Sequence, residues 1–404
     1  MSFQQGLSGL NAASRQLDVI GNNVANASTV GFKSSEATFS DVYANSLGTT
    51  ASSNTGLGVT VSSIQGNFAQ GNITATTNPL DIAINGNGFF RMDTNGVTSY
   101  SRTGQFHIDN NGYIVNATGS KLTGYGVDAT GVLVGANTGP LQVSSADITP
   151  TATTQGHITL NLDSREAAIT IPFDVNNPKT YNKSTAMTTY DSLGNPHTES
   201  TYYVKTAANT WDVYGSQDGA AGTKVGTLKF KSDGTLDTTA TTLPFNISNP
   251  LTNGATTTFD WTLDYYGSTQ FGSAFGASSI TQDGSTSGQL AGLSASDDGT
   301  LVGRYSNGQS KVLGQIALAN FTNMEGLQPL SNNAYAETSA SGQPTLGAPG
   351  SSSLGVLQSG AVEESNVDLT KELVDMITAQ RVYQANAQTI KTQDQVLNTL
   401  VNLR

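Results

Sequence analysis

The chain has 404 residues, a formal net charge of −12 and no cysteine; only 12% of its residues are charged, and 44 are glycine. The missing basic excess makes nucleic acid a poor partner, because nothing neutralises phosphates. The missing cysteine excludes disulfides, thiolate catalysis and cysteine-ligated metals. The length allows two or three domains with cores of their own, and the charged fraction lies well below the usual ~25%. A cysteine-free chain fits both an ordinary bacterial protein and one threaded unfolded through a secretion channel, and composition leaves both open.

The start, MSFQQGLSGL, lacks the basic region and continuous apolar core of a secretory signal. No run approaches the ~18 apolar residues of a membrane span. The expectation is a soluble protein with no membrane insertion, exported, if at all, by another route. From Phe3, apolar residues fall at Leu7, Leu10, Ala13, Leu17, Ile20 and Val24, in steps of three or four that trace one helix face. Ser2 and Gln5 fit a capping box. The helix runs into GNNVANASTVGFK (21–33), where Asn22 and Asn26 share a face and Asn23 lies beside them. Amides both donate and accept, so these three are expected to meet the amides of a second helix, namely Gln380, Gln384, Asn386, Gln388, Gln393 and Gln395. Gly31 supplies a left-handed turn that closes the segment, and Phe32 anchors it.

SLGTTASSNTGLG (46–58) reads as a flexible link. Beyond it the period changes to two. HITLNLD (157–163) alternates, IAINGNGFF (82–90) does so in part, and STYYVKTAANTWDVYG reads as two strands around a turn. Turn sequences recur at DTNG (93–96), DNNG (109–112), SDG (232–234), DDG (297–299) and SNG (306–308). The middle is therefore all-β, with more than one sandwich or barrel. A Thr-rich insert begins near residue 145 and ends near 285. The expected layout is nested: residues 1–70 and 359–404 form a helical assembly domain with its linker, 71–145 and 286–358 an inner β domain, and 146–285 an outer β domain inserted in it.

The last segment carries the strongest pattern. Ser365 and Asp368 fit a capping box, with Glu372 near the positive helix end. Leu369, Leu373, Met376, Gln380, Tyr383, Ala387, Ile390, Asp394, Leu397 and Val401 then alternate by four and three, a heptad seam. A helix of about 38 residues would span ~57 Å. Val374, Ile377 and Val396 lie off that seam, so pairing with the first helix leaves apolar surface for neighbouring copies. The fold class is thus mixed: long terminal helices forming a coiled-coil inner domain, plus two all-β domains.

Catalytic and metal motifs are absent from this reading. His107, His157 and His197 lack ligand spacing. DNNG opens like a calcium loop but no Glu stands twelfth from Asp109. GNG (86–88) is not followed by a third glycine and a helix, and there is no nucleophile elbow. No catalysis, cofactor or metal is expected.

Several stretches carry a family resemblance. NNVANASTVGFK is similar to the N-terminal signature of the flagellar axial proteins of rod and hook. LDIAINGNGFF (80–90) and YSRTGQFHIDNNGYIVNATGSKLTGY (100–125) resemble their β domain, and ESNVDLTKELVDMITAQRVYQANAQTIKTQDQVLNTLVNLR (364–404) resembles their C-terminal helix. The insert and DGTLVGRYSNGQSKVLGQIALANFTNMEGL (298–327) resemble the hook branch of enteric-type bacteria, although the insert departs most from the family pattern. The resemblance implies a structural subunit outside the cell that stacks into a curved hollow tube. That tube would act as a universal joint carrying torque from rod to filament. Implied partners are further copies of itself, the distal rod protein, the hook cap, the hook-filament junction protein and the flagellar type III export apparatus. The residues expected to carry self-assembly are Leu7, Leu10, Leu17, Ile20, Asn22, Asn23, Val24 and Asn26 against Leu369, Leu373, Met376, Tyr383, Ile390, Leu397 and Val401, within or between subunits. A distal rod or hook-associated axial protein is the alternative within the family. A secreted carbohydrate-binding or adhesive β protein is the alternative outside it.

Overall fold

A computed structural model describes residues 3–42, 58–128, 131–144 and 146–402. The expected link at 46–58 lies outside the described residues except for Gly58, and so does Ser2 of the first capping box. The helices are α1 (Phe3–Ala25) and α2 (Leu369–Asn402). After α1 comes an antiparallel hairpin of β1 (Ser35–Val42) and β2 (Gly58–Gly66), with a bulge between Thr38 and Phe39. The cap of α2 is Asp368, whose Oδ1 accepts from Thr370 N at 2.9 Å and Lys371 N at 3.2 Å. The capping box expected between Ser365 and Asp368 does not form, because Ser365 Oγ accepts instead from Val367 N at 3.3 Å.

Two units follow from the chain's packing. The first comprises residues 1–144, 292–303 and 311–404; the second comprises 145–291 and 304–310. The terminal helices therefore share a unit with the first β region instead of standing apart from it, and the turn at 304–310 groups with the second unit. Strand pairing explains the first point. Ile73–Ala75 pairs with Ala361–Glu363, and Ile82–Asn85 with Val356–Ser359, both antiparallel, so the segment leading into α2 is paired with the first β region.

The core of the first unit is aromatic. Phe89, Tyr100, Ala319, Phe321 and Leu327 are buried, with Phe68, Met324 and Tyr335 packed against them. Tyr100 and Phe321 meet edge-on with centroids 4.8 Å apart, as do Phe68 and Phe89 at 5.6 Å, the geometry that ring quadrupoles favour. The DTNG turn joins Phe89–Thr94 to Val97–Ser101, with Asn95 and Gly96 both in the left-handed region. The IAIN strand is buried along Ile82, Ala83 and Ile84, a continuous apolar run where alternation was expected.

The second unit holds two four-stranded sheets. One runs Phe245–Pro250, Thr258–Asp264, Gln155–Asn161, Gly276–Gln282; the other runs Lys183–Tyr190, Pro196–Ala207, Thr210–Gln217, Thr223–Lys229. Gln155–Asn161 pairs in parallel with Thr258–Asp264 and antiparallel with Gly276–Gln282. Ile158, Leu160, Tyr203, Trp211, Val213, Trp261, Leu263 and Tyr265 fill the core. Trp211 Nε1 donates to Gln270 Oε1 at 2.7 Å, satisfying the one polar atom that a buried indole brings in.

A cluster of ionisable groups also sits in this unit. His197 Nδ1 lies 2.6 Å from Asp218 Oδ2, and its Nε2 lies 3.4 Å from Asp191 Oδ2. Asp191 is fully buried and also accepts from Asn195 Nδ2 at 2.9 Å and Asn253 Nδ2 at 2.6 Å. Glu199 is buried, with Oε2 accepting from Asn249 Nδ2 at 3.2 Å and Oε1 unpartnered. Burial pushes the Glu199 carboxyl up from 4.5 to about 7; the Asn249 hydrogen bond opposes that rise and Asp218 adds to it. Burial opposes the charge on His197, but its bonds to Asp218 and Asp191 outweigh it and raise its pKa. Burial likewise opposes the charge on Asp191, yet its hydrogen bonds from Asn195, Asn253 and Leu193 hold it well below the usual carboxylate range.

For Glu199 the folded unit keeps a proton that the unfolded chain releases above 4.5. Its contribution to stability is therefore complete below that value and declines as pH rises to about 7. His197 acts in the same direction at higher pH, and Asp191 acts only in strong acid. Thermal melts followed by tryptophan fluorescence should lose about 2–3 kcal/mol of stability between pH 5 and pH 8. Glu199→Gln should flatten most of that slope, and an equally steep slope in the variant refutes the assignment.

Candidate assembly surface

α1 and α2 lie side by side in the first unit and run in opposite directions. The start of α1 meets the later turns of α2, and its end meets the first turn. Two glycines of α1 lie against α2. A Cβ on Gly6 would lie 3.2 Å from Ile390 Cγ1, and one on Gly9 would lie 2.9 Å from the Asn386 amide. The buried positions of α1 are Gly6, Ala12, Ala13, Val19, Ile20 and Asn23; on α2, Ala379 is buried at 2% exposure.

The expected seam is covered only in part inside the chain. Ile20 is buried, while Leu10, Leu17 and Val24 are half-buried and Leu7 is 43% exposed. On α2, Met376 and Ile390 are half-buried. Leu369, Leu373, Tyr383 and Leu397 are 46%, 48%, 37% and 50% exposed. Val374, Ile377, Val382 and Val396 are also exposed. The side chain of Val401 lies outside the described residues. Small residues let the two helix backbones approach closely, Val19 and Ile20 are buried beside them, and the apolar side chains of Leu7, Leu369, Leu373, Tyr383 and Leu397 are left exposed.

The asparagine run corrects a second expectation. Asn22 is exposed, and Asn26 Nδ2 donates back to Asn22 O at 3.0 Å, a bond within its own helix end. Asn23 alone is buried, at 2%. Its Nδ2 donates to Ser35 O at 2.9 Å and its Oδ1 accepts from Ser35 N at 2.9 Å, so the amide copies a strand partner for the first residue of β1. The same Nδ2 donates to Glu372 Oε1 at 2.9 Å. The partner on α2 is thus a carboxylate in its first turn, and the glutamines at 380, 384, 388, 393 and 395 do not take that place. Glu372 reaches Asn23 because it stands one turn after the cap, beside the end of α1.

Among the described residues no group of His, Cys, Asp and Glu is arranged to hold a metal ion, and no helix is long and apolar enough to cross a membrane.

Four protein families match in succession. The flagella basal body rod protein family matches residues 3–33, and the flagellar hook protein FlgE/F/G D1 domain matches 83–179. The flagellar basal body protein FlaE D2 domain matches 161–285, and the flagellar basal body rod FlgEFG protein C-terminal family matches 358–403. The flagellar hook protein FlgE of Salmonella typhimurium is 47% identical over 416 residues, covering 100% of both chains. The flagellar hook protein FlgE of Escherichia coli K12 is 46% identical over 415 residues, again with full coverage of both.

The chain belongs to the flagellar hook protein FlgE family.

The crystal structure of Helicobacter pylori flagellar hook protein FlgE2 shares the fold, with a TM-score of 0.52 at 14% identity over 70% of this chain and 99% of that one. Within the hook-protein frame the two terminal matches carry both helices, and the D1 match runs past residue 145 into the second unit, overlapping the D2 match from 161.

Two residues at the helix contact escaped sequence reasoning. Gly6 and Gly9 are spaced three apart on a helix, and that small-residue spacing was the available signal. Glu372 was read only as an acid near a helix start.

Asn23→Ala should weaken the docking of β1 on the helices by about 1–3 kcal/mol, the cost of stripping partners from buried backbone groups. Asn23→Asp should cost more, because its second oxygen faces Ser35 O and Glu372. Hydrogen exchange at Ser35 and its neighbours measures both, and an alanine variant as protected as wild type contradicts this role.

Proposed function

We infer that the chain is a structural subunit of the bacterial flagellar hook, and we propose that it assembles through the outward apolar rows of its terminal helices into a curved hollow tube. The observation that carries this reading is the row Leu369, Leu373, Tyr383 and Leu397 on α2, each more than a third exposed and set at heptad spacing. An isolated chain leaves this row in water. Burial of one such side chain contributes roughly 1.5–3 kcal/mol, so a few per subunit suffice to favour a coiled-coil-like seam between copies. Phe3 and Leu7, 47% and 43% exposed, add apolar surface on α1.

In this arrangement the terminal helices line the inner wall of the tube. The tube works as a universal joint that carries torque from rod to filament outside the cell. Its outer contacts must exchange as it turns while bent. Surfaces rich in hydroxyls and amides and poor in charge suit that exchange, since each hydrogen bond nets only about 0.5–1.5 kcal/mol. The role is structural, without catalysis. The partners of this reading are further copies of the chain, the distal rod protein, the hook cap, the hook-filament junction protein and the flagellar type III export apparatus.

Leu373→Asp places a charge in the seam at a position already open to water in the single chain. It should abolish tubes seen by electron microscopy after concentration in salt, while calorimetry shows both β units melting as in wild type. Tubes of normal length and curvature from this variant refute the seam.

A further inference from the structure

Six asparagine–glycine pairs occur in the chain, at 85–86, 87–88, 95–96, 111–112, 253–254 and 307–308. Such pairs carry a chemistry of their own. The backbone nitrogen of the glycine can add to the side-chain carbonyl carbon of the asparagine and close a five-membered ring. Glycine permits the approach because it has no Cβ and its backbone turns freely. Which pair reacts in a folded chain then depends on which nitrogen is free to move.

Four of the six nitrogens are tied. Gly86 N donates to Gln70 Oε1 at 3.0 Å and Gly96 N to Asp93 Oδ1 at 2.7 Å. Gly112 N donates to Asp109 O and Gly308 N to Tyr305 O, each at 3.0 Å. Gly88 is buried, with Leu354 Cδ2 3.3 Å from the place a Cβ would take, so its backbone has no room to swing. Gly254 differs from all of these. It is exposed, no atom lies within 4 Å of the place a Cβ would take, and among the described residues no acceptor takes its N–H.

The Asn253 amide is held at both ends. Its Nδ2 donates to Asp191 Oδ2 at 2.6 Å, and its Oδ1 accepts from Ala255 N at 3.1 Å. The second bond curls the side chain over the Gly254 peptide, as in an Asx turn. It also sets a donor on the oxygen where negative charge gathers as the nitrogen adds. Asn307 is the matched comparison. Its Oδ1 accepts from Gln309 N at 3.1 Å and its Nδ2 donates to Thr286 O at 2.7 Å. The two pairs differ at the nucleophile, bonded at Gly308 and free at Gly254.

We propose that Asn253–Gly254 is a self-modification site, at which deamidation releases the loop 251–256 from the buried Asp191. Gly254 N bonds to Asn253 Cγ, the bond from Cγ to Nδ2 breaks, and the proton of Gly254 N leaves with Nδ2 as ammonia. Water then opens the ring at either carbonyl and leaves aspartate or isoaspartate; no other reactant is needed. Asp191 is fully buried, and although burial opposes its charge, hydrogen bonds from Asn195, Asn253 and Leu193 hold it in the carboxylate form. The new carboxylate thus puts a like charge where a donor stood. His197 Nε2 lies 3.4 Å from the same Asp191 oxygen, but its ring is already shared with Asp218. The site lies within the second unit and does not depend on the assembly reading.

The full-length chain is aged in warm, mildly alkaline buffer, folded and in urea, and each pair is followed by peptide mass spectrometry. Labelling by an isoaspartate-specific methyltransferase confirms the product. Relative to its own rate in urea, Asn253 should slow by less than about threefold on folding, and Asn307 by more than about tenfold. Conversion of Asn253 held back as strongly as that of Asn307 overturns the site. Asn253→Asp carries one of the two products, and it should speed hydrogen exchange in peptides covering 191–197 and 251–257 about tenfold. If that variant does not fold, the converted fraction of aged wild type gives the same reading. Unchanged protection in those peptides overturns the release.

Discussion

Both ends of the chain are held at one buried carboxylate, and the first unit is organised around that meeting. Glu363 reaches Lys33 because its own strand pairs with Ile73–Ala75, which returns the chain to the place where α1 ends. Gly31 makes the tight turn that turns Lys33 inward. Asn23 then fixes the last turn of α1 to the start of β1 and to the first turn of α2. The helices are thus clamped at their roots by polar contacts, buried between Lys33 and Glu363 and part-buried between Asn23 and Glu372, and farther out Gly6 and Gly9 lie against Ile390 and Asn386. Direction is set at the root; the flanks remain free.

That division separates two jobs that a heptad pattern alone runs together. Inside the chain Gly6 and Gly9 lie against half-buried Ile390 and Asn386, and Ala12, Ala13 and Ala379 are buried along with the larger Val19 and Ile20. The small residues contribute little burial each, and an isolated helix pair of this kind is marginal in water. Other large apolar residues, Leu369, Leu373, Ile377 and Leu397 among them, are left outside. A pair held mainly by its root and incompletely covered along its length is what a polymerising subunit needs, since a fully satisfied pair would have no reason to seek neighbours.

The sequence was legible where one chain segment decides the outcome. Apolar steps of three and four marked both helices, and the alternation of HITLNLD anticipated the strand Gln155–Asn161 with its inward Ile158 and Leu160. The Asn-Gly and Asp-Gly turns marked hairpins for the same local reason. What stayed hidden depends on partners far apart in sequence. Periodicity registers Leu7 and Leu10 strongly and Gly6 and Gly9 weakly, so the inferred face includes buried Ala13 and Ile20 but misses the two glycines. Asn23 looked equivalent to Asn22 and Asn26, because nothing local says which amide meets Ser35 and Glu372. Lys33, Arg102 and Glu363 each look like solitary surface charges until the strands bring them together. The parallel pairing of Gln155–Asn161 with Thr258–Asp264 was hidden for the same reason.

The few charges of this chain are placed with an economy that bears on the proposed tube. Three of them are spent in the dry junction at the helix roots, where an unpaired charge is expensive and the geometry is correspondingly strict. Others sit in the second unit around His197, where amides and carboxylates interlock at one end of its two sheets. Elsewhere the chain is poor in charge, with only 12% charged residues in all. A joint that bends while turning requires contacts of unequal strength in one subunit: rigid where torque enters, and weak where neighbours slide. Buried ion pairing at the root and neutral hydrogen bonding outside differ in the required direction, because breaking a buried pair costs about 3–5 kcal/mol and exchanging a surface hydrogen bond only about 0.5–1.5. The hierarchy that the proposed motion needs is therefore already present within a single chain, before any neighbour is added.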